Sequence, residues 1–204
     1  MISYRMKVIS FEGFEYSGKS TQIKLLKKYF IKNNIKSTFT REPGGNKDLE
    51  KIRNVILKSN FDNLSLIMFF FASRFALLSS IKKNDFIVFD RFFDSTYAYQ
   101  KYNSREKKLI ISLIKLIDKK FIPKITFYLK LDKKNLIRRK NKRLYSNKFD
   151  KKYFGQFSRI QKNYEEISKI KIGERKFVTI DASLSANEVH DKIIINLKKC
   201  KLIK

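Results

Sequence analysis

Short apolar runs recur along the chain, and the stretches between them carry apolar residues at three- and four-residue spacing. The runs Lys7–Phe11, Ser37–Thr40, Phe86–Phe89, Ile125–Leu131 and Phe177–Ile180 are rich in β-branched and aromatic side chains, and predict buried strands. Between them the period is helical. Ile23, Leu26 and Phe30 form one stripe after the first strand, and Val189, Ile193, Ile194 and Leu197 form another near the C-terminus. The second stripe opens at Ser185-Ala186-Asn187-Glu188, a capping box. Gly44-Gly45 and Gly173 mark turns. Strands alternating with helices predict an α/β fold with a five-stranded parallel sheet between two helical layers. No repeat, low-complexity linker or proline-rich hinge breaks the pattern, so residues 1–204 are expected to form a single domain.

Directly after the first run stands Gly13-Phe14-Glu15-Tyr16-Ser17-Gly18-Lys19-Ser20, a complete G-x-x-x-x-G-K-S phosphate loop. A strand feeding a glycine-containing loop that opens a helix aims backbone N–H groups and a positive dipole end at one polyphosphate. The motif therefore implies a P-loop NTPase-type sandwich that binds a nucleoside triphosphate. The expected ATP-binding residues are Gly13, Phe14, Glu15, Tyr16, Ser17, Gly18, Lys19, Ser20 and Thr21, with Lys19 on the β/γ-phosphates and Ser20 on Mg²⁺. In open α/β sheets ligands lie beyond the carboxyl ends of the strands. There the second strand runs into Thr40-Arg41-Glu42-Pro43-Gly44-Gly45, and the third into Asp90-Arg91-Phe92. Asp90 is the expected second Mg²⁺ partner, and Arg41 and Arg91 are free to reach phosphate. A surface salt bridge is the plain alternative for any one such arginine.

Charge changes the picture less than its size suggests. Lys+Arg number 47 against Asp+Glu 19, a net +28, which ordinarily points to nucleic acid, membrane surface or an anionic substrate. The lysines are spread over nearly every expected helix rather than gathered in a patch, so no dedicated nucleic-acid groove is expected. Cys200 is the lone cysteine and His190 the lone histidine, which excludes an internal disulfide and fits a reduced, cytoplasmic setting. The apolar start of the chain is too short for a secretory signal. The longest apolar block, Leu64 to Leu78, contains Arg74 and is expected to be too short to span a bilayer.

Taken together, Phe11-Glu12-Gly13, Lys19-Ser20-Thr21-Gln22, Thr40 to Gly45, Phe71-Ala72-Ser73-Arg74, Asp90-Arg91-Phe92 with Ser95 and Ala98-Tyr99-Gln100, and Ile180-Asp181-Ala182-Ser183 resemble the thymidylate kinase family over essentially the whole chain. The resemblance implies transfer of the ATP γ-phosphoryl group to dTMP. It implies dTMP contacts from Glu15, Arg41, Phe70, Arg74, Arg91, Ser95, Thr96, Tyr99 and Gln100, with Phe70 and Arg74 reading the base and Tyr99 crowding the 2′ position of the sugar. Phe70 can equally be one more core phenylalanine, but a charge such as Arg74 within an apolar helix is costly to bury without a partner. Tyr164 is expected near the nucleotide.

In relatives whose phosphate loop lacks an arginine, a lid arginine is catalytic. Here the loop position holds Tyr16, so Arg139 or Arg143 joins Lys19 and Arg91 as catalytic candidates, in a lid at about 138–150, with a helix expected to begin near Asn147. A solvated basic helix face is the alternative reading of that cluster. The family resemblance also implies a homodimer, with the Leu64–Leu78 stretch available for it. Tyr16 stands where many relatives have glycine, and Lys130 where the residue is usually acidic. Two rivals stay open: another nucleoside monophosphate kinase, and a basic nucleotide-dependent nucleic-acid-binding module.

Overall fold

In the computed structural model, which describes residues 6–82, 85–141 and 153–204, all five expected strands form and pair in parallel. They are β1 (Lys7–Glu12), β2 (Ser37–Arg41), β3 (Phe86–Asp90), β4 (Ile125–Lys130) and β5 (Lys176–Asp181), in the order β2-β3-β1-β4-β5. The boundaries move by a residue at most ends, and the movement has chemical content: Glu12, Arg41 and Asp90 become the last residues of their strands rather than the first of their loops. Register then sets Phe11 opposite Asp90 and Arg41 opposite Asp90, so these strand ends share one edge of the sheet. β3 and β4 are buried on both faces, as their unbroken apolar runs require, while the edge strands β2 and β5 are only partly covered.

Helices cover both faces of the sheet. On one side α1 (Lys19–Lys32) and the C-terminal helix, α8 (Ala186–Lys199), pack with Leu26, Phe30, Ile193 and Leu197 fully buried, and Ser185 and Glu188 form the expected capping box. The other face carries α2 (Lys47–Lys58), α3 (Asn63–Ser80), α4 (Phe93–Gln100) and α5 (Ser104–Lys115). A short helix, α6 (Lys133–Asn141), follows β4, and α7 (Phe157–Ser168) lies against α4.

One expectation changes here. The apolar block at 64–78 belongs to an 18-residue helix, α3, which by length and composition is long enough to cross a membrane. One side of it is packed into the core, where Ile67, Phe71, Leu77 and the charged Arg74 all lie inside the fold. In the basic cluster after β4, Arg138, Arg139 and Lys140 form the last turn of α6, in keeping with the helix-face alternative. Arg143, most of the expected lid and the helix start expected near Asn147 lie outside the described residues.

Candidate active site

β1 delivers the phosphate loop with its glycines under geometric compulsion. Gly13 has φ 144°, and a Cβ there would stand 2.7 Å from the Leu129 carbonyl oxygen and 2.7 Å from Ser17 Oγ. Gly18, at φ 92°, is the N-cap of α1 and offers no capping side chain, so the helix N-terminus faces the crevice through its amides. Tyr16 adopts φ 65°, the left-handed conformation that glycine takes at little cost. Lys19 is buried and donates to the carbonyls of Gly13 at 3.0 Å and Phe14 at 2.9 Å. Burial, with the Arg91 guanidinium nearby, lowers its pKa to about 8, and an arriving polyphosphate would favour its charged form.

Beyond the loop opens a crevice of about 550 Å³. It gathers Glu15 to Thr21 from the loop and α1, Arg41 from β2, Phe70 and Arg74 from α3, Asp90 and Arg91 from the end of β3, Ser95, Thr96, Tyr99 and Gln100 from α4, and Arg139 from α6. Two expected phosphate-loop residues do not line it. Gly13 lies behind the loop, and Phe14 turns into the core, stacked on Tyr99 with ring centroids 6.0 Å apart. Arg139 Nη1 donates to the Tyr16 carbonyl at 3.1 Å, placing a cation against the mouth of the loop.

Arg91 is the hub. Its backbone is left-handed, φ 68°, a strain of about 1–3 kcal/mol that persists only where the surroundings enforce it. Its guanidinium pairs with Glu15 at 2.7 Å and donates to the Gly13 carbonyl and Ser95 Oγ, both at 3.0 Å. Tyr99 OH donates to the same Glu15 carboxylate at 2.8 Å. The expected neighbour Tyr164 is buried here, with its hydroxyl 3.0 Å from Ser95 Oγ.

Arg74 has found the partner its burial demands. Nε donates to Glu42 at 2.7 Å and Nη2 to Thr96 Oγ1 at 3.0 Å, with the guanidinium over the rings of Phe71 and Phe92. Nη1 is buried and makes no hydrogen bond. Burial raises the Glu42 pKa to about 7, against the opposing pull of Arg74. Gln100 donates to Tyr153 OH at 3.1 Å, so its amide is engaged just ahead of α7. Arg41 is held differently from its expected reach toward phosphate: it forms a two-point pair with Glu50 at 2.9 and 2.7 Å, with just over half of its side chain exposed.

Three participants escaped the sequence reading. Glu42 sits in the turn already noted but carries no sign of its role, because its partner is distant in sequence. Arg53 lines the crevice from α2 and donates to the Pro43 carbonyl at 2.7 Å. Glu12 is completely buried at the end of β1, accepting from the Phe92 amide at 2.7 Å and from Ser95 Oγ at 2.5 Å. A carboxylate ending an apolar strand was its available signal, the same one that marked Asp90.

A phosphate loop facing a second, arginine-lined lobe across the ends of β1, β2 and β3 defines a phosphate-loop kinase that seats an acceptor opposite the triphosphate. The thymidylate kinase family profile matches residues 11–193, and the chain belongs to that family. It is 36% identical over 204 residues to the thymidylate kinase of Wolbachia pipientis subsp. Culex pipiens, covering 95% of this chain and 96% of the relative. The thymidylate kinase of Chlorobium limicola is 34% identical, with 94% of each chain covered. Among solved structures, the crystal structure of thymidylate kinase from Ehrlichia chaffeensis superimposes with a TM-score of 0.71 at 30% identity, covering 95% of this chain and 98% of that one.

Proposed function

We propose that this chain transfers the γ-phosphoryl group of ATP to dTMP, giving dTDP and ADP. The observation that carries the reading is the single crevice in which Lys19, Arg91 and Arg74 meet, within a chain of the thymidylate kinase family. ATP would lie along residues 15–21, its phosphates on the loop amides and Lys19, with Arg139 and Arg143 as the lid arginines. The nucleophile is already an anionic phosphate oxygen, so no strong base is needed. Rate comes from in-line positioning and from neutralising charge on the transferring group by Lys19, Arg91 and the lid cations.

On the acceptor side, Arg91 and Arg41 would hold the dTMP phosphate, which requires Arg41 to exchange Glu50 for the ligand. Phe70 would stack on the thymine, and the free Nη1 of Arg74 would donate to its position-four carbonyl. Ser95, Thr96 and Gln100 would add polar contacts. Tyr99, tied to Glu15, would occupy the space of a ribose 2′-hydroxyl.

Among the described residues no three Asp, Glu, His or Cys side chains cluster to hold a metal, so Mg²⁺ would need nucleotide phosphates to complete its shell. Ser20 and Asp90, both lining the crevice, fit that role. The ion would supply charge neutralisation on the β- and γ-phosphates. A homodimer belongs to the same reading, formed through the exposed apolar side chains of α2 and α3.

A coupled ADP-release assay with dTMP, dUMP, UMP, CMP, AMP and GMP tests the activity. dTMP is expected to give the highest kcat/KM, and Lys19→Ala to abolish turnover while the circular dichroism spectrum is retained. A preference for any ribonucleotide, or ATP turnover stimulated by nucleic acid instead, would overturn the assignment.

A further inference from the structure

We infer that Glu12 is a positioning residue for phosphoryl transfer, the group that fixes the turn at Arg91 and so presents its guanidinium to the acceptor phosphate. This rests on the kinase reading above and deepens it. Glu12 is wholly buried and does not line the crevice, so it acts through others. What it touches is specific. The Arg91 amide donates to the Phe11 carbonyl at 2.9 Å, and the next amide, Phe92 N–H, donates to Glu12 Oε1 at 2.7 Å. Both peptide planes flanking the Arg91 Cα are thus pinned by consecutive residues of β1, which holds φ at 68° where a non-glycine residue would otherwise leave it.

The other carboxylate oxygen reaches the far end of the same side chain. Oε2 accepts from Ser95 Oγ at 2.5 Å, and Ser95 Oγ in turn accepts from Arg91 Nη1 at 3.0 Å. One carboxyl group therefore constrains Arg91 at its backbone and at its guanidinium. Packing alone does not explain it, because an apolar side chain would fill the site and leave the Phe92 amide without an acceptor. Burial, with the Asp94 carboxylate close by, raises the Glu12 pKa to about 8. The protonated carboxyl, like the glutamine amide, can accept from Phe92 and donate to Ser95.

The geometry makes length matter more than charge, and two conservative variants separate them. Glu12→Gln keeps the reach and cannot ionise; Glu12→Asp keeps the carboxyl and cannot span both partners. Steady-state kinetics of the full chain are expected to place Glu12→Gln near wild type in kcat/KM for dTMP. Glu12→Asp is expected to fall about tenfold to hundredfold, with ADP affinity by calorimetry unchanged. In an Arg91→Ala background the Asp substitution should add little further loss of dTMP binding, since both changes act on one contact. Glu12→Asp outperforming Glu12→Gln, wild-type behaviour of both, or fully additive losses with Arg91→Ala would overturn the inference. Wild-type protein that fails to phosphorylate dTMP would instead overturn the activity itself.

Discussion

Arg74 is the residue on which stability and recognition are hardest to separate. It is buried against Glu42 and Thr96, and removing one member of such an ion pair leaves an uncompensated charge that costs about 3–5 kcal/mol. Arg74→Ala is therefore expected to lower the melting temperature and to weaken dTMP binding together. Arg74→Met combined with Glu42→Leu removes both charges, and chemical denaturation should recover most of the lost stability. Calorimetry on the same double variant should still show weakened dTMP binding, because the donor at Nη1 is gone. Recovery of dTMP affinity along with stability would show that Arg74 is a structural residue only. At this scale the sequence exposed Arg74 as anomalous but could not name Glu42, which lies in a turn 32 residues earlier.

Helix α7 shows what a single element contributes to the site from behind. Arg159 donates to the carbonyls of Tyr99 and Lys101, and Asn163 to those of Ala98 and Lys101, so α7 holds the end of α4 that carries Tyr99 and Gln100. One turn on, Glu166 receives Tyr97 OH, Lys101 and Lys107 at 2.7–2.8 Å. Burial works to raise its pKa, but those hydrogen bonds more than reverse the effect and bring it to about 2. A depressed carboxylate stabilises the fold fully above its unfolded value near 4.5 and loses that contribution as pH falls toward 2. Glu166→Gln should accordingly lower the melting temperature at pH 7 by about 2–4 °C, the shift about 1 kcal/mol produces in a chain of this size. Melting curves of the two proteins should converge as pH approaches 2. A constant gap across pH would mean that the clamp is not electrostatic. Helical periodicity predicts α1 and α8 readily, whereas α6 is too short and too densely charged to show an apolar stripe, which leaves the basic run at its end open between a lid and a solvated helix face.

For the whole molecule, the exposed apolar side chains Ile52 and Val55 on α2 and Leu64, Met68 and Phe69 on α3 are the surface through which a second copy is expected to pack. Placing a charge there, as in Met68→Glu, should convert a dimer to a monomer in sedimentation at low concentration, while wild type remains dimeric. A wild-type protein that is monomeric at low concentration would remove the dimer from the reading. The net charge of +28 identifies no partner, since composition records how many cations there are and not which of them face one another. Strand number, sheet type and the phosphate loop followed from sequence alone, because each depends on residues adjacent in the chain: a period of two or of three to four, or glycines at fixed spacing. The tertiary structure alone decided which polar and charged groups meet. Arg74 with Glu42, Arg91 with Glu15 and Ser95 with Glu12 are joined across strands and helices far apart in sequence, by contacts that exist only once parallel strands are in register and their ends share one edge.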